Sequence, residues 1–577
     1  MTPTTAEQTV QILKNAGIKR IYGVTGDSLN FLNDALRRDG NIQWIHVRHE
    51  EAGAYAAMAE GVLGGMGCCA GSSGPGHVHL INGLYDAHRW GAPVLALAST
   101  ISSKDYGSES FQSTDLSMFD GCSYYNEIAQ TPEQLPRMLQ QAMQHAAACQ
   151  GVGVCAFPGD LMMKKAYTKL PLATLYQSKA LTRPTDDELD KLAVLLKSTK
   201  KIGIYAGLGC DNARENVLAL AQKLNAPIAF TLKAKMAMEH DNAFAVGMTG
   251  LLGSSAGARA ITECEVLLML GSDFPWREFL DGRVKIIQID TKPERLGRRV
   301  ALYQGLTGSI DATLEALLPR LDLQEDASFL NTCLKEHQSI TKRQQQHAQT
   351  PGKKNLISPE YLAHLVSELA DDDAIFTADT GMCAVWAARY LKSTGKRHLM
   401  GSFSHGSMAS AMPQAIGAAF YAPERQVIAF CGDGGLSMLL GDLMTISQYQ
   451  LPIKLVVFNN RALGMVQLEM QVAGLPNWQT DMVNPHFADV ARACGIKGIQ
   501  VDDPALLNDA LKEAFDSDEA VLIEVLTNPD IPVLPPHTSI GVLTRYVESE
   551  AKLAKAGRFK EAWLSLSTSV KYLRDLW

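Results

Sequence analysis

Cysteine is sparse and unpatterned in this 577-residue chain: eleven residues, an odd number, with no CxxC and with Cys68 next to Cys69. That pattern excludes a disulfide framework and a structural zinc site, and it predicts scattered buried thiols in a reducing cytoplasm. No apolar run approaches the roughly 18 residues that span a bilayer. A basic segment followed by an apolar run is missing from MTPTTAEQTVQILKNAG, so no secretory signal is expected. Positive charge is in the minority. The net charge of -8 argues against a surface devoted to nucleic acid. GxGxxG is also missing, which excludes an ordinary nicotinamide-binding fingerprint.

What is present is material for large cores. The apolar fraction of 46% against 20% charged leaves no room for a long disordered region. At about 150 residues per domain the length predicts three or four domains. Short apolar runs recur without alternation: APVLALAS (92–99), KIGIYAG (201–207), EVLLMLG (265–271), VKIIQID (284–290), QVIAFCGD (426–433) and KLVVFNN (454–460). Helix-period segments lie between them. That texture predicts an α/β chain built of doubly wound parallel sheets covered on both faces.

Two boundaries divide the chain. One falls near 175–186, where Pro184 precedes an acidic helix start. The other is the polar stretch 325–357, containing HQSITKRQQQHAQTPGKKN. The expected blocks are 1–178, 184–330 and 355–532, with a tail at 533–577. Blocks one and three share an order of features. GSSGPGHVHLINGLYDAHRWGAPVLALAS and GDGGLSMLLGDLMTISQYQLPIKLVVFNN each run from a glycine turn through one helix and a Pro to a β-run. This predicts two copies of one unit flanking a different middle domain.

The sharpest motif begins where VIAF runs into Gly432-Asp433-Gly434-Gly435 and ends at Asn459-Asn460. Parallel strands present their C-terminal ends at one edge, where such sheets bind ligands. Asp433 and Asn460 can therefore converge. A carboxylate and an amide oxygen suit Mg²⁺, which takes oxygen ligands and fills its remaining positions from phosphate and water. Glycines there let backbone N–H groups approach a diphosphate. The plainer alternative is a simple strand-to-helix turn.

This segment resembles the thiamine-diphosphate-dependent decarboxylase and oxidase family, in which GDG opens a segment closed by NN. The resemblance implies that Asp433, Asn460 and the backbone carbonyl of Ala462 hold Mg²⁺, with Gly434 and Gly435 at the diphosphate. In RHEEA (48–52), Glu50 stands where the family places the glutamate bonded to the aminopyrimidine ring. That contact favours the tautomer able to remove the thiazolium proton. In SHGSMASAMPQAIG (404–417), Met408 matches the residue that bends the cofactor, with Gly406 and Ser407 beside it. The bend acts by proximity. Taken singly, Glu50 reads as a helix-start carboxylate and Met408 as core filler.

Within the family the sequence resembles the pyruvate oxidases most, above all the bacterial quinone-reducing group. YGVTGDSLN (22–30), GSSGPG with HLINGLYDAHR (79–89), Phe111-Gln112 and VWAARYL (385–391) carry that likeness. It implies that Glu50, His79, Phe111, Gln112, Met465 and Glu469 surround the reacting carbon. It also implies an FAD-binding middle domain with contacts at Leu251, Leu252, Gly253, Ser254, Phe274, Asp290, Thr291, Lys292, Pro293 and Glu294. An acid such as Asp290 after a β-run can also bond ribose hydroxyls; the alternative is a remnant fold that binds ADP or nothing. Met465 and Ala234 depart from the group's phenylalanine and glycine.

In the tail, Phe559, Trp563, Leu566, Val570, Leu573 and Trp577 form one stripe at helical spacing. The stripe predicts either a helix docked on the protein or one lying in a lipid interface. The resemblance implies oxidation of pyruvate to acetate and CO₂, with electrons passing through FAD to a membrane quinone. It also implies a homotetramer at the inner face of the cell membrane, with Glu50 and Asp433 meeting from different chains. The alternatives are an oxygen-using oxidase making acetyl phosphate, a non-redox carboligase or decarboxylase, and a catalytically silent scaffold.

Overall fold

A computed structural model describes residues 2–168, 175–176, 180–274, 277–531, 540–555, 557–559, 562–563 and 565. Three six-stranded parallel sheets follow one another along the chain. The first holds β1 (Arg20–Gly23), β2 (Gln43–His46), β3 (Gly67–Gly71), β4 (Val94–Thr100), β5 (Tyr125–Ile128) and β6 (Val152–Pro158). The second holds β7 (Ile202–Ala206), β8 (Ile228–Phe230), β9 (Ala245–Met248), β10 (Val266–Leu270), β11 (Lys285–Asp290) and β12 (Gln304–Thr307). An antiparallel pair, β13 (Gly352–Lys353) and β14 (Leu356–Ile357), precedes the third. That sheet holds β15 (Ile375–Ala378), β16 (His398–Gly401), β17 (Val427–Gly432), β18 (Lys454–Asn459), β19 (Lys497–Val501) and β20 (Val521–Leu526).

The spatial orders are β2-β1-β3-β4-β6-β5, β12-β11-β10-β7-β8-β9 and β16-β15-β17-β18-β20-β19. Numbered within itself, each outer sheet runs 2-1-3-4-6-5, so the two segments read as copies share a topology. The middle sheet runs 3-2-1-4-5-6, the order of dinucleotide-binding folds. The apolar runs read from the sequence are strands here. They lack alternation because helices cover both faces: every residue of β4 and of β20 is buried.

Two local features differ from the sequence reading. The polar stretch after 325, read only as a boundary, holds the 21-residue helix Ser328–Ala348. Its Gln, Lys and Arg residues are strong helix formers, and Phe329, Leu330 and Cys333 bury one stripe. The single helix expected after GDGG is two short ones, Asp433–Met438 and Leu443–Tyr449, separated by a tight turn at Leu440–Asp442. The break presents Asp442 to the first block, where its Oδ1 accepts the Arg48 backbone N–H at 2.9 Å.

The outer blocks share one core. The helix Glu50–Val62 is Ala/Gly-rich and buried nearly all round because it is held between its own sheet and the helix Ala411–Tyr421. Gly417 makes the approach possible, since a Cβ there would lie 2.1 Å from the Ala56 carbonyl oxygen. Gly417→Ala should therefore destabilise the protein by about 1–3 kcal/mol. Denaturant unfolding measures this, and unchanged stability would mean that the helices separate freely.

Candidate active site

The C-terminal edge of the third sheet gathers the oxygen donors. β17 ends at Gly432, and Asp433 follows with 3% of its surface exposed. Its Oδ1 accepts the Gly434 N–H at 3.0 Å, and its Oδ2 accepts the Arg461 N–H at 2.8 Å and the Asn484 amide at 2.7 Å. Burial pushes this carboxyl's pKa up, against the lowering effect of those donors. The adjacent asparagines part company at the end of β18. Asn459 turns inward and donates to Glu524 at 2.7 Å. Asn460 faces a cavity of about 70 Å³, with its Oδ1 accepting the Ala462 N–H at 3.0 Å.

That cavity is lined by Met408, Asp433, Gly434, Gly435, Asn460, Ala462 and Met465, among others. The donor set of carboxylate, amide oxygen and backbone carbonyl suits a hard divalent cation. Among the described residues no group of three His, Cys, Asp or Glu side chains could hold a metal ion. A cation held by Asp433, Asn460 and the Ala462 carbonyl would complete its shell from a diphosphate and water. The glycine cradle fits such an anion: a Cβ on Gly434 would meet Leu463 and Met408 side-chain carbons at 3.0 Å. The following helix has only six residues, so backbone N–H groups rather than a long helix dipole must carry the attraction.

Glu50 opens the helix Glu50–Val62 and is 7% exposed. Its Oε2 lies 2.8 Å from His79 Nδ1. The His79 ring stacks on His49, with centroids 4.3 Å apart. The helix Pro75–Trp90 that carries His79 also carries Asn82. The Asn82 amide donates to Glu51 at 2.8 Å and to the Ser407 hydroxyl at 3.0 Å. Its Oδ1 lies 2.9 Å from His405 Nε2. Asn82 therefore grips the loop on both sides of Gly406, whose φ of 85° belongs to the left-handed region.

Glu50 and His79 thus come together, and so do Asp433, Asn460, Ala462, Met408 and Met465. Among the described residues, Glu50 and His79 do not line the cavity that Asp433 and Asn460 share. Phe111 is 93% exposed. Gln112 lines a separate cavity of about 370 Å³ with Ser73 and His77. Glu469 is exposed on the helix Gly464–Val472.

In the middle block, Ser254 caps the helix Ser255–Thr262 through the Gly257 N–H at 3.3 Å. Gly253 is packed so that a Cβ would lie 2.4 Å from the Met248 carbonyl oxygen, and Phe274 lies 3.4 Å from the Cβ position of Gly250. Leu251 is half-buried, while Leu252 touches the cores of both the second and third sheets. Asp290 ends β11, buried, and accepts the Lys292 N–H at 2.9 Å. The Lys292 ammonium reaches the first block, donating to the Cys149 carbonyl at 2.5 Å. Thr291, Pro293 and Glu294 are exposed beside it. Ala234 is fully buried at the short helix after β8.

The tail bears on the cavity at Asp433. The helix Ile540–Lys555 lies against the helix Gly464–Val472. Ser549 and Lys552 donate to the carbonyls of Leu475 and Gly474, at 2.6 and 2.8 Å, and Arg558 pairs with Asp481 at 2.8 Å. The loop they grip bonds back to the loop that follows Asn460: Leu463 N–H to the Thr480 carbonyl at 2.8 Å, and Met482 N–H to the Arg461 carbonyl at 2.9 Å. A cavity of about 330 Å³ lies between tail and loop. Of the stripe, Phe559 and Trp563 are 68% and 66% exposed; Leu566, Val570, Leu573 and Trp577 lie outside the described residues.

Sequence reasoning missed Asn484, Asn82 and Asp379. Asn82 lies within HLINGLYDAHR, but nothing in that run marks its role, and no motif flags the other two, because each acts by closing a distance between segments separated in the chain.

Residues 3–119, 189–317 and 379–525 match the models of the thiamine pyrophosphate enzyme N-terminal TPP binding domain, central domain and C-terminal TPP binding domain. YdaP of Bacillus subtilis, described as a thiamine pyrophosphate-containing protein, is 35% identical over 93% of this chain and 94% of its own. Pyruvate oxidase of Lactiplantibacillus plantarum is 30% identical over 91% and 88%. The acetolactate synthase large subunit of Lactococcus lactis is 29% identical over 92% and 94%. With all three models matched in order and relatives aligned over nine-tenths of its length, the chain belongs to the thiamine pyrophosphate enzyme family.

Proposed function

We propose that this protein oxidises pyruvate with water to acetate and CO₂, passing two electrons through FAD to a membrane quinone, which leaves as quinol. The observation that carries the reading is the C-terminal segment. It exposes Phe559 and Trp563 to solvent while Arg558, between them and the helix Ile540–Lys555, is tied to Asp481 beside the metal loop. Exposed aromatics on such a segment suit a lipid interface, where a lipid-soluble acceptor resides. Among the described residues no helix is long and apolar enough to cross a membrane; the contact in this reading is peripheral, at the inner face of the cell membrane.

Bound thiamine diphosphate supplies a stabilised carbanion. Asp433, Asn460 and the Ala462 carbonyl would hold its Mg²⁺, and Gly434 and Gly435 its diphosphate. Glu50 would bond the pyrimidine ring, and His79 holds the Glu50 carboxyl in place. Gln112, Glu469 and Phe111 would complete the substrate pocket. Because, among the described residues, Glu50 and His79 do not line the Asp433 cavity, the reading includes a pairing of copies, in a tetramer, in which Glu50 faces a partner subunit's metal cavity. Exposed Phe111 and Val483 suit such a covered face.

The strand order of the middle sheet supports FAD. Its topological switch point lies between β7 and β10, where Gly207 and Gly271 follow the strand ends. Leu251 to Ser254, Phe274 and Asp290 to Glu294 follow strands of the same sheet.

The acetolactate synthase relatives favour a second reading, carboligation of pyruvate without net oxidation. The visible spectrum of the purified protein separates the two. With thiamine diphosphate and Mg²⁺, anaerobic pyruvate should bleach a flavin band. A band that stays oxidised while CO₂ is released, or no band at all, would refute the oxidative reading.

A further inference from the structure

Asp379, the residue after β15, is 2% exposed and bonded to backbone N–H groups. Its Oδ1 accepts the Ala411 N–H at 2.9 Å, and its Oδ2 accepts the Gly432 N–H at 3.1 Å. One carboxylate thus joins the start of the helix Ala411–Tyr421 to the end of β17. The same Oδ2 fills the space beside Gly435, lying 2.2 Å from where a Cβ would be. Burial lifts this carboxyl to about 6, against the lowering effect of its backbone donors.

Between Met408 and Ser410 the chain does something an L-residue resists. Ala409 has a φ of 65°, in the left-handed region, and is 3% exposed. A non-glycine residue holds that conformation only where its surroundings over-determine it. Here they do. Two residues on, Ala411 is fixed through its N–H by Asp379 and through its carbonyl by the Thr377 hydroxyl at 2.7 Å. On the other side, the Ala409 nitrogen lies 3.1 Å from the Cβ position of Gly435. Met408, next in the chain, reaches back to Gly434, its Cε 3.0 Å from that glycine's Cβ position.

We propose that Asp379 is a positioning residue that holds Ala409 in its left-handed turn and so fixes the Met408 side chain over the Gly434-Gly435 diphosphate cradle. The inference rests on the reading of that cradle as the cofactor site. Losing the brace lets Ala409 relax toward ordinary backbone angles and swings Met408 away. Glycine at 409 has no such preference and removes the need for the brace.

The test uses the full-length protein with saturating Mg²⁺ and thiamine diphosphate as titrant, followed by quenching of tryptophan fluorescence. Hydrogen–deuterium exchange at the thiazolium carbon is followed on the same samples. Asp379→Asn should weaken cofactor binding about tenfold, equivalent to about 1.4 kcal/mol, and slow the exchange by a similar factor. Asp379→Asn combined with Ala409→Gly should recover most of both losses. Wild-type affinity in Asp379→Asn, or a loss that Ala409→Gly does not repair, would overturn the proposal. If Asp379→Asn does not fold, Ala409→Val carries the test, because a β-branched residue is not held at this φ; it should also bind about tenfold more weakly, and wild-type affinity would again overturn the proposal. Wild-type protein that neither binds nor exchanges would remove the cofactor reading itself, and this inference with it.

Discussion

Glu50→Gln is expected to lower turnover of pyruvate by about 10²–10⁴-fold, the usual contribution of a positioned acid–base group. The substitution is close to isosteric, and the amide oxygen can still face His79, whose nitrogen lies 2.8 Å from the carboxylate. Packing at the start of the helix Glu50–Val62 should survive. What disappears is a group able to exchange a proton with the pyrimidine ring. The loss should therefore fall on kcat and on thiazolium proton exchange, with cofactor affinity changing less. Steady-state CO₂ release together with exchange kinetics measures both. Activity equal to wild type would revive the catalytically silent reading of the fold.

Asp433→Ala is expected to weaken Mg²⁺-dependent cofactor binding by about 100-fold or more, since loss of even an outer-shell partner typically costs 10–100-fold. Asn484→Ala supplies that comparison. Its amide bonds Asp433 Oδ2 at 2.7 Å and Asn459 at 3.0 Å, so it should cost about 10–100-fold. The apo protein should tolerate Asp433→Ala, because burial of this carboxyl opposes its charge. Isothermal titration with Mg²⁺ at fixed thiamine diphosphate reads the affinities, and the melting temperature of the cofactor-free protein checks folding. Equal Mg²⁺ affinity in Asp433→Ala and wild type would move the metal elsewhere.

Oxidation and carboligation differ in whether the middle block holds a flavin that pyruvate reduces. Its 3-2-1-4-5-6 order is that of dinucleotide binders. Fold alone does not decide which dinucleotide, or whether it is reduced. The flavin spectrum is therefore the decisive observation for the oxidative half of the proposal.

Much was legible in the sequence because parallel sheets write themselves in a simple code. Unbroken apolar runs such as KLVVF predict strands covered on both faces, and Lys454–Asn459 is one. The shared order of a glycine turn, a helix, a proline and a β-run predicted paired units, and both outer sheets run 2-1-3-4-6-5. GDGG and NN predicted one cavity, and Asp433, Gly434, Gly435 and Asn460 line it. These features are local, and strand direction alone brings their ends to the same edge.

The remainder depended on distances that only packing sets. The same two letters, NN, gave one side chain for Glu524 and one for the cavity, since successive residues of a strand point to opposite faces. The glutamates of RHEEA diverge likewise, Glu50 to His79 and Glu51 to Asn82. Polarity marked 325–357 as a boundary but not the helix Ser328–Ala348 within it, which one buried stripe holds in place. Asp379 offered no signal, because an acid whose partners are the backbone N–H groups of residues 411 and 432 belongs to no motif. By itself the sequence determined the strands, the repeated unit and the letters that line one cavity, because hydrophobic pattern and strand polarity act locally. Only the tertiary structure decided which carboxylates are braced and which are exposed, because those outcomes depend on contacts between segments tens to hundreds of residues apart.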